Sequence, residues 1–425
     1  MPYLIFYTID SHFSKIHSIL KLFKTKNFNL FYYIISYYIF AILVLTFDIP
    51  FVYRISGTFE SIVYSHFVYF FWVVFGIFLF YLFKLKVKVS TLFRASILSL
   101  VILSIYVMFF YSRLTTFSLI LPIFAIRGAG VSLFALAFNV SYLDGLKDKQ
   151  RDKFSLMLHS ILTALPVFLP IIGGYIIDNL AIPSSPSNIY LPNGYFTLYL
   201  FGALLGVTLL IFSPAIKIYC DSTSGVVKPL SFLFNKKFDR IKNYQIYTIY
   251  SNATKGTVYG LLGFLILTNE FNLGLFSSII ALVGSLYFLF INKVEKKYHV
   301  HRIKFYIFGI VGEVISQIVL FLNLSLIGLL ARSVATTLII PLKNIFAENI
   351  VRKNYDTYSK ELNISKSNFL LYHELLCFIG RFLSFVTLIL FIKFVTTDVF
   401  LLFKYFIILF IILDTFEYFF IKKID

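Results

Sequence analysis

The sequence predicts an all-α polytopic membrane protein, in which twelve transmembrane helices form two six-helix bundles and both termini are cytoplasmic. Three observations support this fold class. The chain contains twelve apolar segments, its basic residues fall almost entirely in every second gap between them, and one long basic gap divides the segments six and six. Each segment is long enough to cross a hydrocarbon core of roughly 30 Å, which takes about 20 helical residues.

In chain order, the apolar segments predict spans at 30–53, 61–83, 92–112, 117–142, 155–178, 195–216, 245–268, 272–292, 304–323, 325–347, 368–392 and 397–421. Helices are expected throughout, because backbone groups that face lipid must be hydrogen-bonded within their own segment. The composition agrees, since 59% of the residues are hydrophobic and only 14% are charged. This balance is typical of membrane proteins and lies outside the soluble average.

The distribution of basic residues orients the chain. Of the 38 Lys and Arg residues, 29 fall at the termini and in the gaps assigned to the cytoplasm, whereas only Arg54, Arg113 and Lys393 fall in the opposite gaps. By the positive-inside rule both termini are cytoplasmic, which requires an even number of spans. The net charge of +18 lies in short loops at one membrane face, where anionic headgroups attract it. Membrane lipids are therefore expected partners, and nucleic acid is not.

The spans and gaps divide the chain into five parts. Residues 1–27 predict an amphipathic segment on the cytoplasmic interface, because apolar residues recur there at helical spacing between lysines. A flexible polar tail is the alternative for this part. The remaining parts are an N-terminal six-helix bundle (28–216), a basic cytoplasmic linker (217–244), a C-terminal six-helix bundle (245–421) and a cytoplasmic tail (422–425).

The two halves share a trace of repetition. In the fourth span Asn139 follows Arg127 by twelve residues, and in the tenth span Asn344 follows Arg332 by the same interval. Matching halves are typical of transporters, whose binding site lies where the halves meet.

Spans four and five each contain a stretch of small residues in a recognisable pattern. Arg127-Gly128-Ala129-Gly130, followed by Ala135 and Ala137, is similar to the span-four pattern of the major facilitator superfamily, although the glycine comes three places after the arginine instead of four. Pro170-Ile171-Ile172-Gly173-Gly174 resembles the span-five Gly-Pro-x-x-Gly-Gly motif, with Leu169 in the place of the first glycine. The family's motif between spans two and three is essentially missing. The resemblance implies a two-bundle transporter with a central cavity that works by alternating access.

The prolines and glycines of span five predict a bent, closely packed helix. Pro166 and Pro170 remove backbone donors and bend the helix. Gly173 and Gly174 allow a neighbouring helix to approach closely and provide a hinge. Packing is favoured over substrate contact for these glycines, because small residues let helices cross tightly in lipid.

Three cations within the spans are predicted to bind substrate. A charge at the bilayer centre costs roughly 2.5–3.5 kcal/mol on insertion scales, so such residues face a cavity or a partner. Arg127 and Lys255 lie deep enough to reach the midplane and predict a shared cavity for a polar or anionic solute. A structural ion pair with a buried carboxylate is the open alternative for both. Arg332 is the third candidate, although its shallower position favours a structural role.

Ion coupling is predicted on span eleven. Glu374 and Arg381 are seven residues apart and therefore lie on one helix face, two turns from each other. A carboxylate that loses and regains a cationic partner links proton uptake to motion. Asp48, just before Pro50 in span one, is the second candidate. Glu417 lies near a cytoplasmic end and is predicted to snorkel towards water.

These features favour a secondary active transporter, which moves a small polar or anionic solute across the cell membrane and is coupled to an ion gradient. No Gly-x-x-x-x-Gly-Lys-Ser/Thr motif for nucleotide is present. A flippase for a lipid-linked or amphipathic substrate is the main alternative, and a site open laterally to lipid would favour it. A membrane-embedded lipid-modifying enzyme is less favoured, because the clustered acidic or histidine motifs it needs are missing. The protein is expected to be a monomer without a cofactor, a metal site or catalytic residues.

Overall fold

The computed structural model describes residues 28–143, 148–180, 182, 187–221, 233–236, 239–297, 302–339, 368–395 and 398–422. The predicted amphipathic segment 1–27, residues 222–232 and 237–238 of the linker and residues 340–347 of the tenth span lie outside these residues. So do Asn344 and the last three residues of the predicted tail.

The described part of the N-terminal half contains seven α-helices, of which the first two form one span. They are α1 (Phe28–Leu45), α2 (Asp48–Ser56), α3 (Phe59–Leu82), α4 (Val89–Phe110), α5 (Leu121–Leu143), α6 (Asp148–Asn179) and α7 (Gly194–Ile211). The break at residues 46 and 47 precedes Pro50, whose ring nitrogen cannot donate a hydrogen bond to the carbonyl four residues earlier. Asp48 therefore becomes the first residue of α2, where the positive end of the helix dipole favours a carboxylate.

The C-terminal half contains α8 (Asp239–Leu267), α9 (Glu270–Lys297), α10 (Arg302–Leu322), α11 (Leu326–Ile339), α12 (Asn368–Phe394) and α13 (Val399–Lys422). Among the described residues of the whole chain, nine helical segments are long and apolar enough to cross a membrane, and the cores of α10 and α11 are shorter apolar helices. The predicted class of an all-helical multi-pass membrane protein is thus confirmed. The count of twelve spans and the side of the termini stay predictions.

A small sheet that the sequence did not predict ties the start of the linker to the N-terminal bundle. Strand β1 (Lys86–Lys88) pairs antiparallel with β2 (Tyr219–Asp221), with Val87 opposite Cys220. Beside it, the Arg94 guanidinium donates to the side chain of Ser213 at 2.8 Å and to its carbonyl at 2.9 Å. The first residues of the predicted linker therefore belong structurally to the N-terminal bundle.

The bundles pack together chiefly along α6 with α9 and α3 with α12. A Cβ on Gly174 would lie 2.4 Å from the Glu270 carbonyl oxygen, and one on Gly274 would lie 2.2 Å from the Pro170 carbonyl oxygen. Helices α6 and α9 therefore cross with their backbones in contact. Gly173 faces the end of α1 and the break after it, where a Cβ would lie 2.7 Å from the Leu43 carbonyl oxygen and 2.6 Å from the Phe47 ring. Helix α6 continues unbroken through both of its prolines.

Candidate functional site

The N-terminal bundle contains a buried ion pair between Asp48 of α2 and Arg127 of α5. Only 9% of the Asp48 side chain and 18% of the Arg127 side chain are exposed. The Arg127 guanidinium carbon also lies 4.5 Å from the ring centroid of Tyr69 on α3. Arg127 is thus held by a carboxylate on one side and an aromatic face on the other.

The C-terminal bundle contributes a second pair, Glu374 and Arg381, on α12. The Arg381 Nη1 lies 3.8 Å from the Glu374 Oε2, as expected for two residues on one helix face. The Arg381 guanidinium carbon lies 4.4 Å from the ring centroid of Phe70, which belongs to α3 of the other bundle. Arg381 therefore contacts both its own carboxylate and the opposite bundle.

The arginines of the two ion pairs contact two consecutive residues of α3, Tyr69 and Phe70. The rings of Tyr69 and Phe70 are 4.9 Å apart, and Tyr69 also interacts electrostatically with Glu374 and Arg381. We call Asp48, Arg127, Tyr69, Glu374 and Arg381 the central site. Four of its five members were predicted from the sequence. Tyr69 was missed, because nothing distinguishes it among the 30 tyrosines of an aromatic-rich chain.

A polar contact between the bundles adjoins the central site. The Nδ1 of His66 on α3 lies 3.1 Å from the Oγ1 of Thr257 on α8. These two residues, with Arg381 and Ser384, line a small space of about 10 Å³. Its apolar lining residues are Val63, Phe67, Phe70, Ala253, Phe385 and Leu388. This space holds roughly one water-sized group. Sequence reasoning did not assign His66 or Thr257 to a site.

Lys255 lies in a different buried cluster, inside the C-terminal bundle. Its Nζ is 2.8 Å from the Oε1 of Glu313 on α10, and it also pairs with Asp414 on α13. The amide of Gln317 donates to the second oxygen of Asp414 at 2.6 Å. All four residues are buried. The sequence shows that three apolar helices of the C-terminal half each carry a charged residue. It does not show which of these charges pair, because that depends on how the helices pack.

Arg332 belongs to the same cluster. Its guanidinium carbon lies 3.2 Å from the ring centroid of Tyr259, and Tyr259 interacts electrostatically with Glu313 and Asp414. We call these residues, together with Lys255 and Gln317, the C-terminal cluster.

The face of α8 that meets the N-terminal bundle carries Thr257 and Gly260, where a Cβ on Gly260 would lie 2.4 Å from Ile49. Lys255 points from the other side of α8 to α10 and α13. The described structure thus gives Arg127 and Lys255 separate sets of neighbours. Substrate binding by Lys255 and Arg332 stays a prediction.

At the predicted external end, charged residues join the two bundles. Arg54 on α2 binds Glu270 on α9 through two hydrogen bonds, of 2.5 and 2.7 Å. The Tyr195 hydroxyl of α7 donates to the same carboxylate at 2.9 Å, and the Asp178 carboxylate of α6 accepts from the Phe271 amide at 2.8 Å. We call Arg54, Asp178, Tyr195 and Glu270 the outer latch.

A second contact lies at the same end. Lys393 at the end of α12 is 3.8 Å from Glu60 at the start of α3, and both side chains are substantially exposed. The bundles therefore meet at the end that the charge distribution predicts to be external.

The snorkelling predicted for Glu417 is wrong. The residue is only 2% exposed, and the Tyr306 hydroxyl of α10 donates to its carboxylate at 2.9 Å. Because α10 packs against α13 and supplies this donor, the carboxylate is satisfied without reaching water.

No protein-family model matches the sequence, and no curated protein matches it as a relative. Solved structures do match along nearly the whole chain. A D-xylose-proton symporter matches with a TM-score of 0.64 at 11% identity, covering 92% of this chain and 97% of that one. A mutant of the nucleoside transporter NupG matches with a TM-score of 0.62 at 13% identity, covering 92% and 98%. A bacterial homologue of the iron transporter ferroportin, in an inward-facing state, matches with a TM-score of 0.59 at 14% identity, covering 92% and 97%.

The chain shares the fold of these transporters of known structure. The resemblance seen around spans four and five is thus confirmed at the level of the fold. The structural neighbours named above are transporters and not enzymes.

Proposed function

We propose that this protein is a secondary active transporter, which moves a small solute across the cell membrane by alternating access. The observation that carries this proposal is the central site. There, an ion pair from each bundle contacts the consecutive residues Tyr69 and Phe70 of α3 through its arginine. Charged residues within membrane spans are costly and mark transport pathways. Groups from both bundles that meet there are suited to hold a solute that each bundle contacts in turn.

The outer latch supports the same mechanism. Arg54 and Glu270 belong to different bundles, so their two hydrogen bonds must break when the predicted external ends separate. Glu270 is fully buried in the described state. This state corresponds to the half of the cycle in which the external end is closed.

We propose that Glu374 couples transport to a proton gradient. Arg381 contacts Phe70 of the opposite bundle as well as Glu374, so relative movement of the bundles changes the position of the cation that holds this carboxylate. Asp48 remains the second candidate for coupling, through its pair with Arg127. We assign Lys255 and Arg332 a structural role, because the C-terminal cluster supplies them with buried partners.

A flippase would be favoured by a site that opens sideways to lipid. Beside the central site, the α3–α12 seam is packed with aromatic rings. Phe67 and Phe385 stack at 4.4 Å, and the Phe71 and Phe378 centroids are 6.3 Å apart. We therefore retain the small-solute transporter. Because one chain supplies both bundles of the central site, we propose that it acts as a monomer.

This function is tested by measuring the transport of a panel of solutes by the purified protein in liposomes. Transport is measured again with the two bundles joined by a disulfide cross-link, which can be removed by reduction. In a background without native cysteines, Glu60→Cys and Lys393→Cys place one thiol on each bundle. We expect exchange of at least one solute, loss of exchange after cross-linking, and recovery after reduction. The control joins Thr58→Cys to Ser61→Cys, whose native hydroxyls are 2.8 Å apart within one bundle. Unchanged exchange by fully cross-linked Glu60–Lys393 protein, or no exchange of any solute, would contradict the proposal.

A further inference from the structure

We infer that the central site and the space beside it accept an uncharged, hydroxylated ring compound, of the sugar or nucleoside class, and that His66 and Thr257 bind it. This inference rests on the proposed transport function and specifies the solute of the same site. Three features of the site support it: the balance of charge, the aromatic walls, and a pair of hydrogen-bonding groups contributed by the two bundles.

The charges of the central site are balanced. Arg127 is paired with Asp48, and Arg381 is paired with Glu374. An anionic solute would have to draw an arginine away from its carboxylate, and a buried carboxylate left without its partner is strongly unfavourable. A neutral solute leaves both pairs in place. The site therefore favours an uncharged solute over the anion that the isolated arginines suggested.

The walls of the adjoining space offer flat apolar surfaces from both bundles. Phe67 and Phe70 come from α3, and Phe385 comes from α12. The Phe67 and Phe385 rings stack at 4.4 Å with an interplanar angle of 30°. When the bundles separate, these faces become available to a ring-shaped solute, because aromatic side chains stack on flat apolar surfaces.

His66 and Thr257 supply the polar contacts. The Thr257 hydroxyl donates to the Ala253 carbonyl at 3.1 Å, so it accepts from His66 Nδ1 across the interface. When the bundles separate, the His66 donor and the Thr257 acceptor each lose their hydrogen-bond partner. Each then needs a new partner, because an unsatisfied buried polar group is costly. Solute hydroxyl groups provide both kinds of partner. The space of about 10 Å³ beside them has room for one such group.

Equilibrium binding to the purified full-length protein tests the inference without requiring transport. Calorimetry would compare neutral solutes with their anionic counterparts: uridine with uridine monophosphate, and D-xylose with D-xylonate. We expect one neutral compound to bind at least about tenfold more tightly than its anion. Comparing the uridine compounds with the xylose compounds shows whether the solute is a nucleoside or a sugar.

Substitutions then locate the binding site. Thr257→Val keeps the side-chain shape and removes the hydroxyl, and His66→Phe keeps a ring; each should weaken binding of the neutral solute by roughly tenfold, as expected for a lost hydrogen bond. Thr415→Val is the matched control, because Thr415 also donates to the carbonyl four residues earlier but is exposed on α13. It should leave affinity unchanged. If His66→Phe fails to fold, Thr257→Val alone decides.

Tighter binding of an anion than of its neutral partner would overturn the inference. So would full affinity in Thr257→Val, or binding of neither neutral compound. The cross-linking experiment on transport is independent of solute class. A positive cross-linking result with negative ring-compound binding would reject the inference and leave the transporter proposal standing.

Discussion

Arg54 and Glu270 join the two bundles through a two-point ion pair, although 216 residues separate them in the chain. Glu270 is fully buried, and it also accepts a hydrogen bond from Tyr195. Three of the four outer-latch residues come from the N-terminal bundle, whereas Glu270 begins α9 of the C-terminal bundle. The latch is therefore a contact that exists only while this end of the protein is closed.

Loss of the latch should shift the population towards the state that is open outside. Glu270→Gln removes the carboxylate that Arg54 binds at two points. Because breaking a buried ion pair costs roughly 3–5 kcal/mol, we expect labelling of Thr257→Cys by an externally added impermeant thiol reagent to rise at least about tenfold. Lys393→Gln is the control, since it removes an exposed pair worth only about 0–1 kcal/mol. Equal labelling rates in the two variants would show that the latch does not close this end.

The C-terminal cluster should matter for stability. Lys255→Met removes the cation that both Glu313 and Asp414 contact directly, so we expect a large loss of thermal stability, equivalent to roughly 3–5 kcal/mol. Adding Asp414→Asn should restore part of it. Lys404→Met is the matched control, because Lys404 is exposed on α13 with its Nζ 6.0 Å from the Phe321 ring centroid. Normal stability of Lys255→Met combined with loss of solute binding would instead assign Lys255 to the substrate site.

The crossing of α6 and α9 should not tolerate a larger residue. Gly174→Ala places a methyl group 2.4 Å from the Glu270 carbonyl oxygen, so the helices must move apart. Overpacking of this kind costs roughly 1–3 kcal/mol. Gly256→Ala provides the control, since no atom lies within 4 Å of its added Cβ. Thermal unfolding should separate the two variants; equal melting temperatures would contradict the close helix crossing.

Glu374 should be required for ion coupling. Glu374→Gln keeps the side-chain size and removes the titratable group, so we expect loss of accumulation driven by a pH gradient but retention of solute exchange at equal pH. Glu60→Gln, an exposed carboxylate at the predicted external end, should keep both activities. Normal gradient-driven accumulation by Glu374→Gln would exclude Glu374 and direct attention to Asp48. Loss of exchange as well would indicate a role in structure or solute binding.

The orientation of the chain rests on the distribution of its basic residues and is tested separately. Reporter fusions after residues 58, 187 and 395 should be external, and fusions after residues 89, 230 and 357 should be cytoplasmic. The reverse pattern at either set would reject the predicted orientation and the six-plus-six arrangement.

Hydropathy located the spans well, because it is a local property of the sequence. The predicted span at 304–323 corresponds to α10 at Arg302–Leu322. The start of α8 was missed by six residues, since its first turn at Asp239 is polar and charged. The β1–β2 sheet was also missed, because strands of three residues are too short to show periodicity.

The candidate site was likewise predictable only where the contact is local in the sequence. The proximity of Glu374 and Arg381 followed from their spacing on one helix. The partners of Arg127 and Lys255 lie on other helices, so their identity depends on helix packing, which a single sequence does not encode locally. His66 and Thr257 likewise meet only because α3 and α8 come from opposite bundles.

The most direct test of alternating access is a distance measurement between spin labels across the predicted external ends. Labels at Thr58→Cys and Phe394→Cys report on opposite bundles, and labels at Thr58→Cys and Ile189→Cys provide a distance within the N-terminal bundle. All four measurements use lipid nanodiscs, with and without Glu270→Gln. We predict a short Thr58–Phe394 distance that gains a longer population in Glu270→Gln, while the Thr58–Ile189 distance stays constant. A single unchanged Thr58–Phe394 distance in both folded proteins would contradict the account.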